Sequence, residues 1–591
     1  MTPADPPWFE DVDSGLPLPF PDAGPPERPP VGLPLVFGVD PLPPISGGSL
    51  EVSPAGIIVA GDADRNNVLV LDPAEGRVVG LVPLSAGDEP GRIAFDSSGR
   101  AHVVLRGGGA VLTIDLGNAE VLERRSVCPA PRGIAYSASG DQLWVACVGG
   151  ELAALPAGTG AVTRVWRLDD DLRDVLVSGE RVIVSRFRSA ELLEVNPDTG
   201  EVLIRRRPLV RETEGRGGPL VREPNTAWRI RSGVDGEVVM LHQMSVSSEL
   251  EVDMGGYAGG ECRNGVVAPA ISVFSADGSP AIGGGIIGMT PLAVDLAVDV
   301  LASRYRLARP ATDAIELGFP SGTMTIDAIS IRDDCVFEIG TFIGPSSSDA
   351  APSVAVALTA DGRSVTMTRD PLRITVEGQV SFEGGGLNPN RGFELFHTNT
   401  PSFTACASCH PEGGEDGITW NFAGTGLRRT QTLLGGLLET APFHWSGDQA
   451  DMSAIMQGGF MQRMGASSGT RPDDARDIGA WLEAQPLPAR SVVASDAVER
   501  GRVVFEDGAS ACASCHSGER FTNNASMDVG TGGAFQVPSL LGVGFRAPYL
   551  HDGCAPSLEA VLAGTCTSGH GNTDALDAAA LADLVAYLRS L

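Results

Sequence analysis

A five-residue pattern with the chemistry to hold a metal cofactor occurs twice in this chain. The two copies are Cys406-Ala-Ser-Cys409-His410 and Cys512-Ala-Ser-Cys515-His516. In Cys-x-x-Cys-His, the thiols form thioether bonds to porphyrin vinyl groups and the histidine becomes the proximal ligand of the haem iron. Cys-x-x-Cys alone also occurs in zinc half-sites and redox dithiols, but neither explains a histidine after both copies. The pattern predicts two covalently bound haem c groups.

The two motifs belong to a longer internal repeat. They lie 106 residues apart, and the same offset relates Ala441-Pro-Phe to Ala547-Pro-Tyr. Self-similarity of this length indicates two copies of one domain. Each copy is predicted to have a short helix before the motif and a final helix with a 3.6-residue apolar period. In this order the copies resemble small cytochromes c, which implies that the final helix packs on the first. The predicted helices are 391–396 and about 473–483 in the first copy, and 498–505 and 574–591 in the second. We expect two all-α cytochrome c domains, at 386–490 and 491–591.

The sixth iron ligand is predicted at equivalent places in the two copies. Met464 and His570 each lie 54 residues after the proximal histidine, and both residue types are common sixth ligands of c-type haems. A His410/Met464 haem is expected at the higher potential and a His516/His570 haem at the lower, because thioether ligation favours Fe(II). The alternative places Met464 in the core and His570 in a solvated loop. Competing ligands are Met456, Met461, His444 and His551.

His444 and His551 follow the two Ala-Pro pairs. They are predicted to support the haems through hydrogen bonds to propionates or backbone, as is His397 before the first motif. Either His444 or His551 could instead ligate iron or act as a distal base. They are therefore the candidate catalytic residues, if the protein is an enzyme.

The composition excludes several function classes. The chain has 591 residues, of which 42% are apolar and 20% charged, enough for several globular domains. A net charge of −31 argues against nucleic-acid binding, which needs cationic patches. All 43 basic residues are arginine, which excludes Schiff-base chemistry on lysine. No run of 18 apolar residues is present, so no transmembrane helix is expected.

Cysteine usage predicts an exported protein. Six cysteines lie outside the haem motifs, and an even number suggests disulfides in an oxidising compartment. The expected pairs are Cys128–Cys147, Cys262–Cys335 and Cys554–Cys566, and the alternative is six buried free thiols. No signal peptide is visible in residues 1–20, so we expect that a leader was removed or that the start is misassigned. We expect a periplasmic, secreted or outer-surface location in a bacterium.

Residues 46–385 are predicted to form a β-propeller. Short β-rich runs alternate with turns, and Phe95, Tyr136 and Val177 recur at a spacing of 41 residues. A four-stranded propeller blade takes about 40–45 residues, which favours seven blades. Six or eight blades, or an array of β-sandwiches, are the alternatives.

The remaining parts of this region are less regular. Segments 292–308 and 354–367 are predicted as further blades, and a long insertion is placed near 205–265. The insertion contains His242, predicted as a core histidine rather than part of a ligand- or haem-facing surface. Residues 1–45 hold 14 of the 43 prolines and are predicted to be an extended tether.

From about residue 386 the chain resembles the bacterial di-haem cytochrome c peroxidase/MauG family. The resemblance is carried by the two haem motifs, by Ala441-Pro-Phe-His-Trp-Ser-Gly447, by Val537-Pro-Ser-Leu540 and by Arg546-Ala-Pro-Tyr-Leu-His-Asp-Gly553. It implies periplasmic electron transfer, with peroxide reduction as a possibility. The haem spacing is shorter than in those peroxidases, and Arg463 stands where an acidic residue is expected. The propeller repeat resembles the YVTN/YncE type.

Three functions remain open at this point. The first is an exported di-haem electron-transfer protein whose propeller docks a substrate or a redox partner, such as a cytochrome or copper protein. The second is a peroxidase or MauG-like oxidase with peroxide as its substrate, which needs an open distal face and an acid/base group. If Met464 and His570 both ligate iron, neither haem has a free site. The third is a propeller-based substrate binder with the cytochromes as electron outlet.

Overall fold

The computed structural model describes residues 29–591 except 216–217, 252, 254, 258–261, 263, 311, 314–321, 334, 337–351, 378, 467–469, 490–494 and 568–569. The described residues form seven β-sheets that follow one another around a ring, and then a helical C-terminal region. The seven-bladed propeller is therefore confirmed.

The first four blades are four-stranded antiparallel sheets. Their strands are Leu50–Val52, Ile58–Asp62, Asn67–Asp72 and Arg77–Pro83; Pro90–Phe95, Ala101–Leu105, Ala110–Ile114 and Val121–Ser126; Pro131–Ser137, Gln142–Cys147, Glu151–Pro156 and Arg164–Arg167; and Leu172–Ser178, Arg181–Arg186, Leu192–Val195 and Val202–Arg206. Phe95, Tyr136 and Val177 lie in the first strands of the second, third and fourth blades. Their 41-residue spacing is therefore the sequence length from one blade to the next.

The last three blades close the ring. Their strands are Arg211–Gly215, Gly218–Ser232, Val238–Val246, Val267–Phe274, Ile282–Ile287 and Cys335–Val336; Asp295–Asp299, Arg304–Arg309 and Gly322–Asp327; and Ser353–Leu358, Ser364–Arg369, Leu372–Val376 and Gln379–Glu383 with Val31–Gly32. Val31–Gly32, within the segment predicted as a tether, pairs in parallel with Phe382 and Glu383. Leu50–Val52 of the first blade packs on Ser353–Leu358 of the seventh.

The fifth blade differs from its neighbours, and it is where the insertion was predicted. Two of its strands, Gly218–Ser232 and Val238–Val246, are the longest of the propeller's described strands, and the described residues of the segment 247–266, called the loop 247–266 below, belong to no strand of the sheet. His242 is fully buried in this blade, where its Nε2 lies 2.9 Å from the Ser272 hydroxyl. This is the core environment predicted for it.

The described residues after the propeller contain eight α-helices and two short hairpins. The helices are α1 (Arg391–His397), α2 (Cys406–Cys409), α3 (Met452–Ile455), α4 (Asp474–Glu483), α5 (Asp496–Glu506), α6 (Cys512–Cys515), α7 (Leu558–Leu562) and α8 (Ala578–Ser590). The hairpins are Thr419–Phe422 with Gly426–Arg429 and Ser526–Asp528 with Ala534–Gln536. Strand Thr312–Asp313 pairs with Thr398–Asn399, which ties the propeller to the first copy.

The first and last helices of each copy pack together, as the resemblance to cytochromes c implied. Helix α1 packs on α4, and α5 packs on α8. A Cβ on Gly392 would lie 2.3 Å from the Asp477 carbonyl oxygen, and one on Gly501 would lie 1.9 Å from the Asp583 carbonyl oxygen. Both helix contacts therefore require glycine, which explains why a glycine recurs there.

The six cysteines outside the haem motifs form three disulfides. The pairs are Cys128–Cys147, Cys262–Cys335 and Cys554–Cys566. The predicted pairing is confirmed for all three, and the alternative of six free thiols is wrong.

Candidate haem sites

Each Cys-x-x-Cys unit forms one helical turn, α2 or α6, and the histidine that follows ends the turn. One helical turn places both thiols and the imidazole on the same side of the chain. Nδ1 of His410 lies 3.1 Å from the Gly414 carbonyl oxygen, and Nδ1 of His516 lies 3.1 Å from the Phe521 carbonyl oxygen. Because a carbonyl only accepts, Nδ1 carries the hydrogen, and Nε2 keeps the lone pair that can bind a metal.

Burial keeps both proximal imidazoles neutral and the two thiols of the first motif protonated. It lowers the pKa of His516 to about 4 and also lowers the pKa of His410. Neutral imidazole is the form that ligates a metal. Burial raises the pKa of Cys406 to about 12 and that of Cys409 well above its usual range. Catalytic dithiols need the opposite shift, so a redox Cys-x-x-Cys is not favoured.

The two motifs line separate cavities. The first cavity, of about 580 Å³, contains Cys406, Cys409 and His410 in its wall, and the second, of about 310 Å³, contains the corresponding residues of the second copy. All four motif cysteines are free. Because the two thiol pairs lie in different cavities, they do not form one Cys₄ zinc site. Within the described residues, no group of three or more His, Cys, Asp or Glu side chains is arranged to hold a metal ion.

The second cavity has a histidine on each side. The rings of His516 and His570 face each other with centroids 6.2 Å apart and planes at 55°, and both residues line the cavity. Metal–imidazole bonds of about 2 Å put two rings that share one metal at this separation. The residues therefore fit a haem held by thioethers to Cys512 and Cys515. The role of His570 as sixth ligand stays a prediction.

The first cavity is lined by methionines as well as by His410. Met464 is buried, lines the cavity with His410, and follows the π-helix Met456–Arg463. Such π-helical turns often occur at functional sites. Met456 also lines the cavity, whereas Met461 is not part of its wall. The thiols, imidazole and thioethers fit a haem here too, and Met464 as sixth ligand stays a prediction.

The two remaining candidate histidines lie in different surroundings. His444 lines the first cavity, and its Nδ1 lies 3.1 Å from Asp448 Oδ1. His551 lines the second cavity and stacks on Phe535, with ring centroids 3.8 Å apart. His397 lies outside both, buried against Trp481. Among the described contacts of these three histidines, His444 alone has a carboxylate at hydrogen-bond distance, and a catalytic role for it or for His551 is a prediction.

One wall separates the two cavities. Arg429, Trp445 and Gln536 line both of them. The Trp445 indole nitrogen donates to the Arg429 carbonyl oxygen at 2.7 Å. The backbone N–H of Gln536 donates to the Trp445 carbonyl oxygen, also at 2.7 Å. Hydrogen bonds from both copies thus hold the indole in this wall.

The turn after His410 projects a carboxylate into a ring of propeller arginines. Glu412 accepts a hydrogen bond from Arg173 at 2.8 Å, and Arg106 and Arg132 lie 3.6 and 3.8 Å from it. The Ser46 hydroxyl also donates to Glu412. Burial would raise the pKa of Glu412, but the arginines outweigh it and hold that pKa well below the usual 4.5. The second, third and fourth blades are thereby fixed to the proximal side of the first site.

A second buried ion network leads from the propeller to the wall between the cavities. Glu415 lies 3.0 Å from Arg188 in the fourth blade and 2.8 Å from Arg429. Burial would raise the pKa of Glu415, but Arg429 and Arg188 lower it below its ordinary value. The carboxylate therefore stays ionised between its two partners.

Sequence reasoning gave no role to several of these residues. Trp445 was part of a recognised segment, but its place between two cavities depends on how the copies pack. Tyr257, in the propeller loop 247–266, lines the first cavity, and only its position in a glycine-rich insertion distinguished it. Glu412 had no distinguishing pattern beyond following the haem motif.

One comparison with known proteins finds a similar protein over part of the chain. The chain is 29% identical over 224 residues to methylamine utilization protein MauG of Methylorubrum extorquens, an alignment that covers 27% of this chain. The chain spans 62% of that relative's length. No family model matches the chain. The resemblance to the MauG family is therefore confirmed for part of the chain.

Among solved structures, a hydrazine synthase chain of Kuenenia stuttgartiensis covers 58% of this chain and 98% of its own, at 15% identity and a TM-score of 0.44. A streptogramin B lyase covers 59% of this chain and 94% of its own, at 11% identity and a TM-score of 0.39. Virginiamycin B lyase from Staphylococcus aureus covers 57% and 93%, at 11% identity and 0.36. At these scores the likenesses say nothing about activity.

Proposed function

We propose that this protein is an exported di-haem c-type cytochrome that transfers electrons between two covalently bound haems. Residues 386–490 and 491–591 each form a cytochrome c domain. Cys406 and Cys409 with His410 hold the first haem, and the corresponding residues of the second copy hold the other. Met464 and His570 complete the two iron sites. Bound haem supplies a metal centre that accepts and releases one electron at a time.

The observation that carries this proposal is the shared wall. Each cavity has its own attachment motif, yet Trp445, Arg429 and Gln536 line both. In this proposal, electrons pass between the two haems across this layer of side chains. Buried Glu415, paired with Arg429, fixes the geometry of this layer, and both proximal histidines are half-buried.

The propeller has a structural role in this proposal as well as a docking role. One of its faces binds the first copy through Glu412 and Glu415, so an external partner docks elsewhere. The net charge of −31 favours a redox partner, a cytochrome or copper protein, with a positive surface. The three disulfides support a periplasmic or secreted location. No helix of the described residues is long and apolar enough to cross a membrane.

The test is a count of haems and a redox titration of the full chain, produced with a c-type haem maturation system. We expect two covalent haems per chain by mass spectrometry and pyridine haemochrome absorbance, and two separate midpoint potentials. The half-reduced protein should stay low-spin. Absence of covalent haem contradicts the proposal. A high-spin, half-reduced protein that turns over hydrogen peroxide supports a peroxidase instead.

A further inference from the structure

The propeller contributes side chains to the first haem cavity. Leu250, Tyr257 and Val266, all from the loop 247–266, line it together with residues of the first copy. The Leu250 amide donates to the Asn421 carbonyl oxygen at 2.8 Å, so the loop is held to the hairpin beside the cavity. The propeller therefore forms part of the wall of this cavity.

Tyr257 is held by contacts with three residues. Its amide donates to the Arg463 carbonyl oxygen at 3.2 Å, and its own carbonyl oxygen accepts from the Val266 amide at 2.9 Å. Its hydroxyl accepts a hydrogen bond from the Arg463 guanidinium at 3.3 Å. Its ring stacks on Phe422, with centroids 6.4 Å apart. A side chain held in this way presents its hydroxyl at a defined place in the cavity wall.

The hydrogen of the Tyr257 hydroxyl is available for a ligand. The oxygen accepts from Arg463, and a hydroxyl can accept and donate at the same time. Burial raises the pKa of Tyr257, so the group stays protonated at neutral pH. Within the described part of the chain, no acceptor is found for this hydrogen. The hydroxyl of this wall residue therefore keeps one hydrogen that it can donate.

Arg463 brings an uncompensated positive charge to the same wall. Its guanidinium carbon lies 5.6 Å from the centroid of Phe422, and it lines the cavity. No carboxylate among the described residues forms an ion pair with it. A half-buried guanidinium without a counter-charge favours an anion in the adjacent space.

A haem propionate does not account for this charge. Tyr257 and Cys409 pack against the same apolar cluster, formed by Leu250, Val266 and Trp420 among others. The Tyr257–Arg463 pair therefore lies on the side of the cavity where the thioether bond to Cys409 forms. A porphyrin carries its vinyl groups on one edge and its propionates on the opposite edge. A haem attached through Cys406 and Cys409 would therefore carry its propionates on the edge away from these thiols.

We propose that Tyr257 and Arg463 form a binding site for a small anion beside the first haem. Arg463 supplies the charge and Tyr257 a hydrogen bond, and the ligand class is a small anion with oxygen or nitrogen donor atoms. The site is formed by the propeller and the first cytochrome copy together. The inference rests on the proposed haem at His410 and adds the ligand class that its cavity admits.

Azide is the probe for this site, and imidazole is the neutral ligand for comparison. Titrations are followed by visible absorption of the ferric full-length protein in the Met464→Ala background, because removal of the thioether opens the iron. Arg463→Gln should weaken azide binding about tenfold or more, since a hydrogen bond to a charged group is lost with its charge. Tyr257→Phe should weaken it about threefold to tenfold. Imidazole affinity should stay the same in both.

Arg428→Gln is the matched control, because Arg428 lines the same cavity but lies over Phe535 of the second copy, with its guanidinium carbon 5.0 Å from the ring centroid. Its azide affinity should change less than about twofold, as expected for a more distant charge. The inference is wrong if azide does not bind, if neither Arg463→Gln nor Tyr257→Phe weakens it, or if Arg428→Gln weakens it equally. If one of these results is obtained with protein that carries two covalent haems, the anion site is wrong and the proposed function stands. If no haem is bound, both the anion site and the proposed function are wrong.

Discussion

The two haem motifs have the same sequence and different surroundings. Ser408 in the first copy is fully buried, and its hydroxyl donates to the Pro291 carbonyl oxygen of the propeller at 2.8 Å. Ser514, at the same place in the second copy, is exposed, and its hydroxyl donates to the Ala511 carbonyl oxygen at 2.6 Å. The motif itself therefore does not determine its environment, and the propeller accounts for the difference.

The residues after the proximal histidine show how this difference arises. Glu412 and Glu415 bind propeller arginines in the first copy, and the positions 106 residues later are Gly518 and Phe521. The second copy contacts the first instead, through Arg520, which lies 3.0 Å from Glu439. The two acidic residues therefore add ion pairs with the propeller that only the first copy makes, and the second copy is attached to its twin.

The largest difference between the copies is expected when their haems are removed one at a time. Changing both motif cysteines to alanine, at 406 and 409 or at 512 and 515, should each remove one covalent haem. The first change should also lower the melting temperature of the propeller, because Tyr257 and Leu250 then border an empty cavity of about 580 Å³. Haemochrome absorbance and scanning calorimetry measure both effects.

The second double variant is the control for the first. It should lose one haem and leave propeller melting nearly unchanged, because its cavity is lined by residues of the two cytochrome copies. Retention of two haems in either variant contradicts the assignment of the motifs. Equal melting temperatures of the propeller in the two double variants would contradict the expectation that only the first haem stabilises it.

The features that could be predicted are those fixed by short stretches of sequence. The spacing of Phe95, Tyr136 and Val177 revealed the blades, since each blade must bury equivalent positions. Each haem motif is also a local pattern, because the two thiols and the histidine lie within five consecutive residues. The contact between Arg173 and Glu412 joins residues 239 positions apart, and no local pattern marks either partner. The lining of the first cavity by Tyr257 likewise depends on how two regions pack.

The next largest effect is expected for Glu412→Gln. The change leaves Arg106, Arg132 and Arg173 without their carboxylate in a site where the Glu412 side chain is 15% exposed. Loss of one partner from a buried ion pair costs about 3–5 kcal/mol. Chemical denaturation should show this decrease in the free energy of unfolding at pH 7. Glu519→Gln, at an exposed position in the second copy, should change it by less than about 0.5 kcal/mol.

The effect of Glu412 should depend on pH. Its pKa in the folded protein is held well below the ordinary 4.5, so the stability that it contributes is present above the unfolded pKa and is lost as pH falls towards the folded pKa. The difference in unfolding free energy between the unaltered protein and Glu412→Gln should therefore be largest at neutral pH and shrink below about pH 4.5. A difference that is independent of pH in this range would show that the carboxylate charge is not responsible.

Met464→Ala and His570→Ala compare the two predicted sixth ligands. Loss of the thioether should lower the midpoint potential of the first haem by on the order of 0.1 V, because axial ligands set haem potentials. It should also produce a high-spin ferric signal. His570→Ala should give a high-spin signal from the second haem and raise its potential. An unchanged spectrum refutes the corresponding ligand, and Met456→Ala then tests the competing methionine in the first cavity.

The smallest effect concerns the serine that the two motifs share. Ser408→Ala removes the donor to the Pro291 carbonyl oxygen and the acceptor for the Ala405 amide, which lies 3.0 Å away. Because both partners are buried, the loss should cost about 1–3 kcal/mol of unfolding free energy. Ser514→Ala should cost less than about 0.5 kcal/mol, since water replaces an exposed hydrogen bond. Urea denaturation of the two variants, each with two haems, measures the contribution of the propeller to one motif without altering the other. Equal costs would mean that Ser408 does not bind the propeller in solution.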